Sequence, residues 1–150
     1  MTFFCPICWK EIMGDDEICP YCGSDITEHD KKSFEEKLIN ALRHPECETV
    51  QRAVWILAKL KSVKAVDPLK NLFKQTDNPF LKIEILNAFG EIATQDALNL
   101  IVNAPDSDIS IVRRNARELI EKRIADEEKK GKFRAEEALC LMNPREDLFQ

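Results

Sequence analysis

The feature that most constrains this chain is that it repeats itself. The stretch "AVWILAKLKSVKAVDPL", residues 53–69, returns as "ILNAFGEIATQDALNLI", residues 85–101. At a shift of 32, Ala53 meets Ile85, Leu57 meets Phe89, Ala58 meets Gly90 and Leu60 meets Ile92. Ala65 then meets Ala97, Val66 meets Leu98 and Leu69 meets Ile101. A further copy begins at "IVRRNARELI", residues 111–120, where a shift of 31 sets Leu81 on Val112, Ile85 on Ala116 and Phe89 on Ile120. A period near 31 identifies a supersecondary unit that cannot bury its own apolar face and must stack on its neighbours.

Each unit reads as two amphipathic helices. The first carries apolar residues three and four apart: Val50, Ala53, Val54, Leu57 and Leu60 in one copy, Leu81, Ile85, Leu86, Phe89 and Ile92 in the next. The second is shorter, with Val66, Leu69, Leu72 and Phe73, then Leu98, Ile101 and Val102. Trp55 and Phe73 are expected in the core. Ser33-x-x-Glu36 has the form of a capping box, opening a helix that runs to about Arg43. Asp67-Pro68 and Asn78-Pro79 each place a capping side chain before a proline at the first helical position. His44-Pro45 reads as a turn between repeats. No helix breaker interrupts residues 109–130, and "KFRAEEALCLM", residues 132–142, is expected to cap the open end of the stack, followed by a tail.

These units resemble HEAT repeats of the phycobilisome-lyase type, over roughly residues 34–123. The residues that carry the resemblance are Val50, Leu57, Ala58 and Leu60; Leu81, Phe89, Gly90, Ile92 and Ala97; and Val112, Arg113 and Ala116. "LINALRHPE", residues 38–46, resembles the second helix and loop of a preceding, truncated unit. The resemblance implies an all-α fold, an α-α superhelix whose second helices line the concave side.

Ahead of the repeats stands "CPICWKEIMGDDEICPYCG", with Cys5, Cys8, Cys19 and Cys22 in the pattern C-x2-C-x10-C-x2-C. Two such knuckles bring four sulfurs to a tetrahedron, the geometry of a structural zinc site. About two dozen residues cannot bury enough surface to fold alone, whereas thiolate-bound zinc supplies roughly 10–16 kcal/mol of apparent folding free energy in small peptides. A filled four-sulfur shell leaves no position for substrate, so the site is expected to be structural. The stretch resembles a short zinc ribbon over residues 3–26, on Phe4-Cys5-Pro6-Ile7-Cys8 and Cys19-Pro20-Tyr21-Cys22-Gly23. That family has glycine after each knuckle, where φ is positive. Gly23 fits, but Trp9 stands in the first knuckle, and a bulky residue there is costly unless it is placed to pack on the neighbouring domain. Iron in a rubredoxin-like site is the competing ion, disfavoured because that family has a longer aromatic-rich insert. A thioredoxin-type redox pair lacks its βαβ context. His29 reads as a solvated linker residue.

Charge separates the same two regions. Residues 1–30 hold seven acidic side chains against Lys10 alone, on a chain of net charge −5. Such an acidic knob repels a nucleic acid backbone. Only four glycines in 150 residues argue against a turn-rich β fold. The N-terminus has no secretory pattern and no apolar run reaches membrane-spanning length, so a cytoplasmic protein with reduced thiols is expected.

Two candidate working surfaces follow. Asn40, Asn71 and Asn103 fall at equivalent places in the second helices, where a row of amides can hydrogen-bond an extended peptide; the plainer reading is that asparagine satisfies the last turn of each helix. Arg113, Arg114 and Arg117 open a late stretch, through Arg134, with nine basic against five acidic residues. It reads as a solvated face of i,i+4 pairs, or as a docking patch for acidic partners, the ribbon itself included. Cys47 and Cys140 read as small, partly buried side chains. With two histidines, no His-Glu pair, no phosphate loop and no nucleophile triad, the chain offers no catalytic set.

The expectation is therefore a zinc ribbon over residues 1–28, a linker over 29–33, HEAT-like repeats with a capping helix over 34–142, and a tail over 143–150. The function expected is a non-catalytic protein–protein interaction scaffold with one structural zinc ion (Zn2+), monomeric or weakly dimeric, and without a membrane partner. The alternatives are a nucleic-acid-binding protein using the ribbon and the basic late helices, or an enzyme accessory or lyase-like chaperone. Nucleic acid is the less expected partner.

Overall fold

The computed structural model of the protein describes residues 3–14, 16–104 and 109–129. The expected capping helix, with Cys140, and the tail lie outside them. The fold class is all-α, as the repeat period requires. Two compact units divide the chain, Met1–Gln75 and Thr76–Gln150.

The first unit opens with two short antiparallel strands, β1 (Phe3–Phe4) and β2 (Glu11–Ile12), in which Phe3 pairs with Ile12 and Phe4 with Glu11. The Phe3 ring lies so close to Gly14 that a Cβ there would come within 2.6 Å of it. An isolated bridge joins Ile18 to Asp25. Helices α1 (Ile26–Asp30), α2 (Phe34–Ala41), α3 (Cys47–Lys59) and α4 (Val66–Gln75) follow, with one 3-10 turn, Val63–Ala65, running into α4. Helix α2 packs on α3. The buried apolar residues of this helical segment are Leu38, Leu42, Val50, Ala53, Val54, Leu57, Ala58, Ala65, Val66 and Leu69.

The second unit contains α5 (Pro79–Ile92), α6 (Gln95–Asn103) and α7 (Ser110–Lys129). Helix α5 packs on both α6 and α7, and α6 also meets α7. Phe89, Ile85, Leu86 and Val112 are the largest side chains fully withdrawn from water there.

Several starts and stops follow the sequence. Ser33 and Glu36 form the reciprocal capping box, Ser33 N–H donating to Glu36 Oε2 at 3.0 Å and Glu36 N–H to Ser33 Oγ at 3.3 Å. Asn78 Oδ1 accepts from the amides of Phe80 and Leu81, with Pro79 at the first helical position. Asp67 does not cap α4. Ser62 does the capping instead, its Oγ accepting from Ala65 N–H at 3.2 Å at the head of the 3-10 turn. Thr94 does the same for α6 through Ala97 N–H at 3.3 Å. Ser62 and Thr94 are 32 residues apart, and each follows a non-glycine residue with positive φ, Lys61 (50°) and Ala93 (57°). After Lys61, Ser62 N–H reaches back to Leu57 O at 3.1 Å, the long hydrogen bond of a Schellman ending.

Three core expectations are corrected. Trp55 is 62% exposed. The buried face of α3 is set by Val50, Val54, Leu57 and Ala58, and Trp55 is one step of about 100° outside it. Leu60 is 51% exposed because α3 ends at Lys59 and Leu60 is its cap. Phe73 is only half-buried. Cys47, expected to be partly buried, is the first residue of α3 and is exposed. His29 is corrected as well: it lies in α1 and is only 8% exposed, with Nε2 lacking a partner among the described residues. Burial, then the nearby Lys32 and Lys37, holds its pKa below the usual histidine value.

Candidate functional site

The two cysteine knuckles are built alike. In the first, Cys5 N–H donates to Lys10 O and Trp9 N–H to Cys5 O, both at 2.9 Å. In the second, Cys19 N–H donates to Ser24 O and Gly23 N–H to Cys19 O, also at 2.9 Å. Trp9 and Gly23 occupy matching places, with φ of 62° and 70°. The first knuckle thus keeps its shape despite a residue for which the left-handed region costs about 1–2 kcal/mol. Its indole packs edge-on against the His44 ring, centroids 4.4 Å apart at 66°. The packing expected for Trp9 is present, and so is the positive φ.

These turns bring the sulfurs together. Cys5 Sγ lies 3.7 Å from Cys22 Sγ and Cys8 Sγ lies 3.6 Å from Cys19 Sγ, with all four within 4.8 Å of one another. A disulfide needs about 2.05 Å, so these are thiols. A tetrahedron of sulfurs about 2.3 Å from a central ion has edges of about 3.8 Å, and the observed pairs fit it. Cys5 and Cys19 are buried, Cys8 is half-buried and Cys22 is exposed. The four cysteines can therefore hold one metal ion.

The thiols are electrostatically unequal. The Ser24 side chain and amide beside Cys22 lower its pKa to about 6. The Lys10 amide pulls Cys8 down, but desolvation and the neighbouring thiols outweigh it and raise Cys8 to about 12. Four thiolates this close repel one another; a divalent cation removes that penalty and displaces the protons. The single lysine of the stretch, Lys10, sets its Nζ 4.9 Å from the centre of the Tyr21 ring.

A cleft of about 640 Å³ opens beside α2 and α4. Ile39, Leu42, Pro68 and Leu72 supply its apolar lining, and Asn40, Asn71 and Gln75 its amides. Lys32, Arg43, Glu36 and Asp67 add two charges of each sign. Asn40 and Asn71 both line this cleft. They are differently engaged: Asn40 Nδ2 donates to the Pro6 carbonyl of the first knuckle, and Asn71 is exposed. Asn103, in the other unit, donates through Nδ2 to Asn99 O of its own helix at 2.7 Å. On α7, Arg113 is half-buried, while Arg114 and Arg117 are exposed. Arg114 Nε stands 3.9 Å from Glu118 Oε1, one helical turn away.

A family model for HEAT repeats matches residues 35–121. The chain belongs to the HEAT-repeat family. The match begins just inside the capping box of α2 and excludes the cysteine stretch. No curated protein matches the sequence of this HEAT-repeat protein. Among its described residues, no helix is long and apolar enough to cross a membrane.

The partners of the first knuckle, His44 for Trp9 and Asn40 for Pro6, were not legible in the sequence. The one available signal was the tryptophan in a glycine position, which marked the first knuckle as the one that packs.

Proposed function

We propose that this HEAT-repeat protein is a non-catalytic protein-interaction adaptor, in which a zinc ribbon of residues 3–26 is folded by one structural zinc ion. The α2–α4 cleft carries the reading. It is open enough for an extended segment of a partner protein, has an apolar lining, and presents amides that match peptide groups. Four sulfurs around one point support a closed, non-catalytic metal shell, with Cys5, Cys8, Cys19 and Cys22 as ligands. The reduced thiols this requires fit a cytoplasmic setting. On α7 the pairing of Arg114 with Glu118 favours a solvated face over a nucleic-acid surface.

Affinity capture with the full chain tests the adaptor. A protein retained by wild type and lost with Leu72→Arg, which places a charge in the cleft lining, supports it. Capture unchanged by Leu72→Arg removes the cleft from the reading. A salt-sensitive shift of RNA or DNA at micromolar protein favours the nucleic-acid alternative. Elemental analysis is expected to give one equivalent of zinc; iron with visible absorbance overturns that assignment.

A further inference from the structure

Two contacts tie the first knuckle to the end of α2. The Pro6 carbonyl, between the ligands Cys5 and Cys8, accepts from Asn40 Nδ2 across 34 residues of sequence. The Trp9 ring, directly after Cys8, packs on His44. Asn40 also closes the end of α2 through its backbone, since its carbonyl accepts Arg43 N–H at 3.1 Å. Leu42 N–H and His44 N–H close on Ile39 O and Ala41 O in the same turn, at 3.3 and 3.1 Å. His44 is held from its other side, Nδ1 accepting Glu46 N–H at 3.0 Å. The turn 40–46 is therefore clamped between the helix it ends and the knuckle it touches.

The same turn forms part of the cleft, through Asn40, Leu42 and Arg43. The second knuckle carries Gly23 where the first carries Trp9, and no side chain lies within 4 Å of a Cβ built there. The two metal-binding halves are thus alike in backbone and unlike in what they touch.

We propose that metal binding at the four cysteines organises the α2–α4 cleft, acting through the Pro6 carbonyl on Asn40 and the Trp9 ring on His44. The knuckle holds Trp9 in the left-handed region, which a tryptophan does not keep unaided. The ion fixes the knuckle by joining Cys5 and Cys8 to Cys19 and Cys22. With the ion gone, Trp9 relaxes, the two contacts are released together and the rim at Asn40–Arg43 loosens. Asn40 and Trp9 are positioning residues, and the cleft accepts its peptide segment in the metal-loaded protein. The inference rests on the metal reading above but needs no partner for its test.

Hydrogen exchange on the full chain, loaded with Zn2+ and then stripped with a chelator, reads the coupling directly. Stripping is expected to speed exchange at Leu42, Arg43 and His44 at least tenfold, while the amides of α5 and α7 stay within twofold. Unchanged rates at those three amides, or equal acceleration across α5 and α7, overturn the proposal. Trp9→Gly combined with Asn40→Ala supplies the second arm, because glycine accepts φ near +62° and leaves the ligand set intact. In that variant, loaded with Zn2+, the three amides are expected to exchange as fast as in stripped wild type. If they stay slow with the metal bound, the contacts do not transmit. Elemental analysis of the same samples keeps the two readings apart: no bound zinc in wild type defeats the metal assignment, whereas bound zinc with unresponsive amides defeats the coupling alone.

Discussion

Among the described residues of 3–25 the side chains fully withdrawn from water are Cys5 and Cys19; in α5–α7 the largest are Phe89, Ile85, Leu86 and Val112. In this cysteine stretch, Phe4, Met13, Ile18 and Tyr21 remain exposed, so most of its apolar surface contributes little by leaving water. The helices bury theirs at the spacing that the sequence repeats. One region is expected to hold by coordination and the other by packing, which means they should fail under different insults.

The largest test of that contrast is Cys19→Ser. It removes a buried thiol from a region without a core, and is expected to abolish stoichiometric metal and the amide protection of residues 5–25. The α5–α7 helices should keep their protection and most of the far-ultraviolet helical signal. Loss of structure everywhere would erase the distinction. The converse is Phe89→Ala, expected to destabilise the helices by about 3–5 kcal/mol through the cavity it leaves. Urea unfolding measures that loss, and one equivalent of metal should remain bound under native conditions. Smaller still, Thr94→Ala removes the cap of α6 and should cost about 1 kcal/mol in the same titration, sharpening the equivalence with Ser62.

The smallest effect is the pH response of the capping box. The Ser33 amide, and then its hydroxyl, hold the Glu36 carboxyl below its ordinary value. A depressed folded-state pKa contributes stability that is present above the unfolded value, about 4.3, and lost as pH falls through the folded one. Corrected for the intrinsic exchange rate, protection at the first turn of α2 should therefore fall only below about pH 4.3, and Glu36→Gln should flatten that fall. Metal release has the same direction for a different reason, since protons compete for the thiolates; the Gln variant separates the two.

Much of this was legible in the chain. The shift of 32 that set Leu57 on Phe89 and Ala65 on Ala97 names four buried residues in equivalent places. The capping box at Ser33 and the Asn78-Pro79 start were readable because a cap involves residues two or three apart. Asp67-Pro68 looked equally good and was wrong: Ser62 comes earlier, and the 3-10 turn it opens has already begun the helix before Asp67 is reached. Lys61 and Ala93 gave no sign of their left-handed backbone, since neither is the glycine or asparagine that such a position favours.

Sequence by itself determined the helix pairs, their period and the four thiols at knuckle spacing, because helices and knuckles are patterns of neighbours a few residues apart and the period is such a pattern returning along the chain. Only the tertiary structure decided that Trp55 faces water, that His29 is buried, that Asn40 holds the Pro6 carbonyl, and that Trp9 keeps positive φ while packing on His44. Those outcomes depend on how separately formed elements come to rest against one another, and a side chain's partner across 34 residues is set by that placement rather than by its neighbours in the chain.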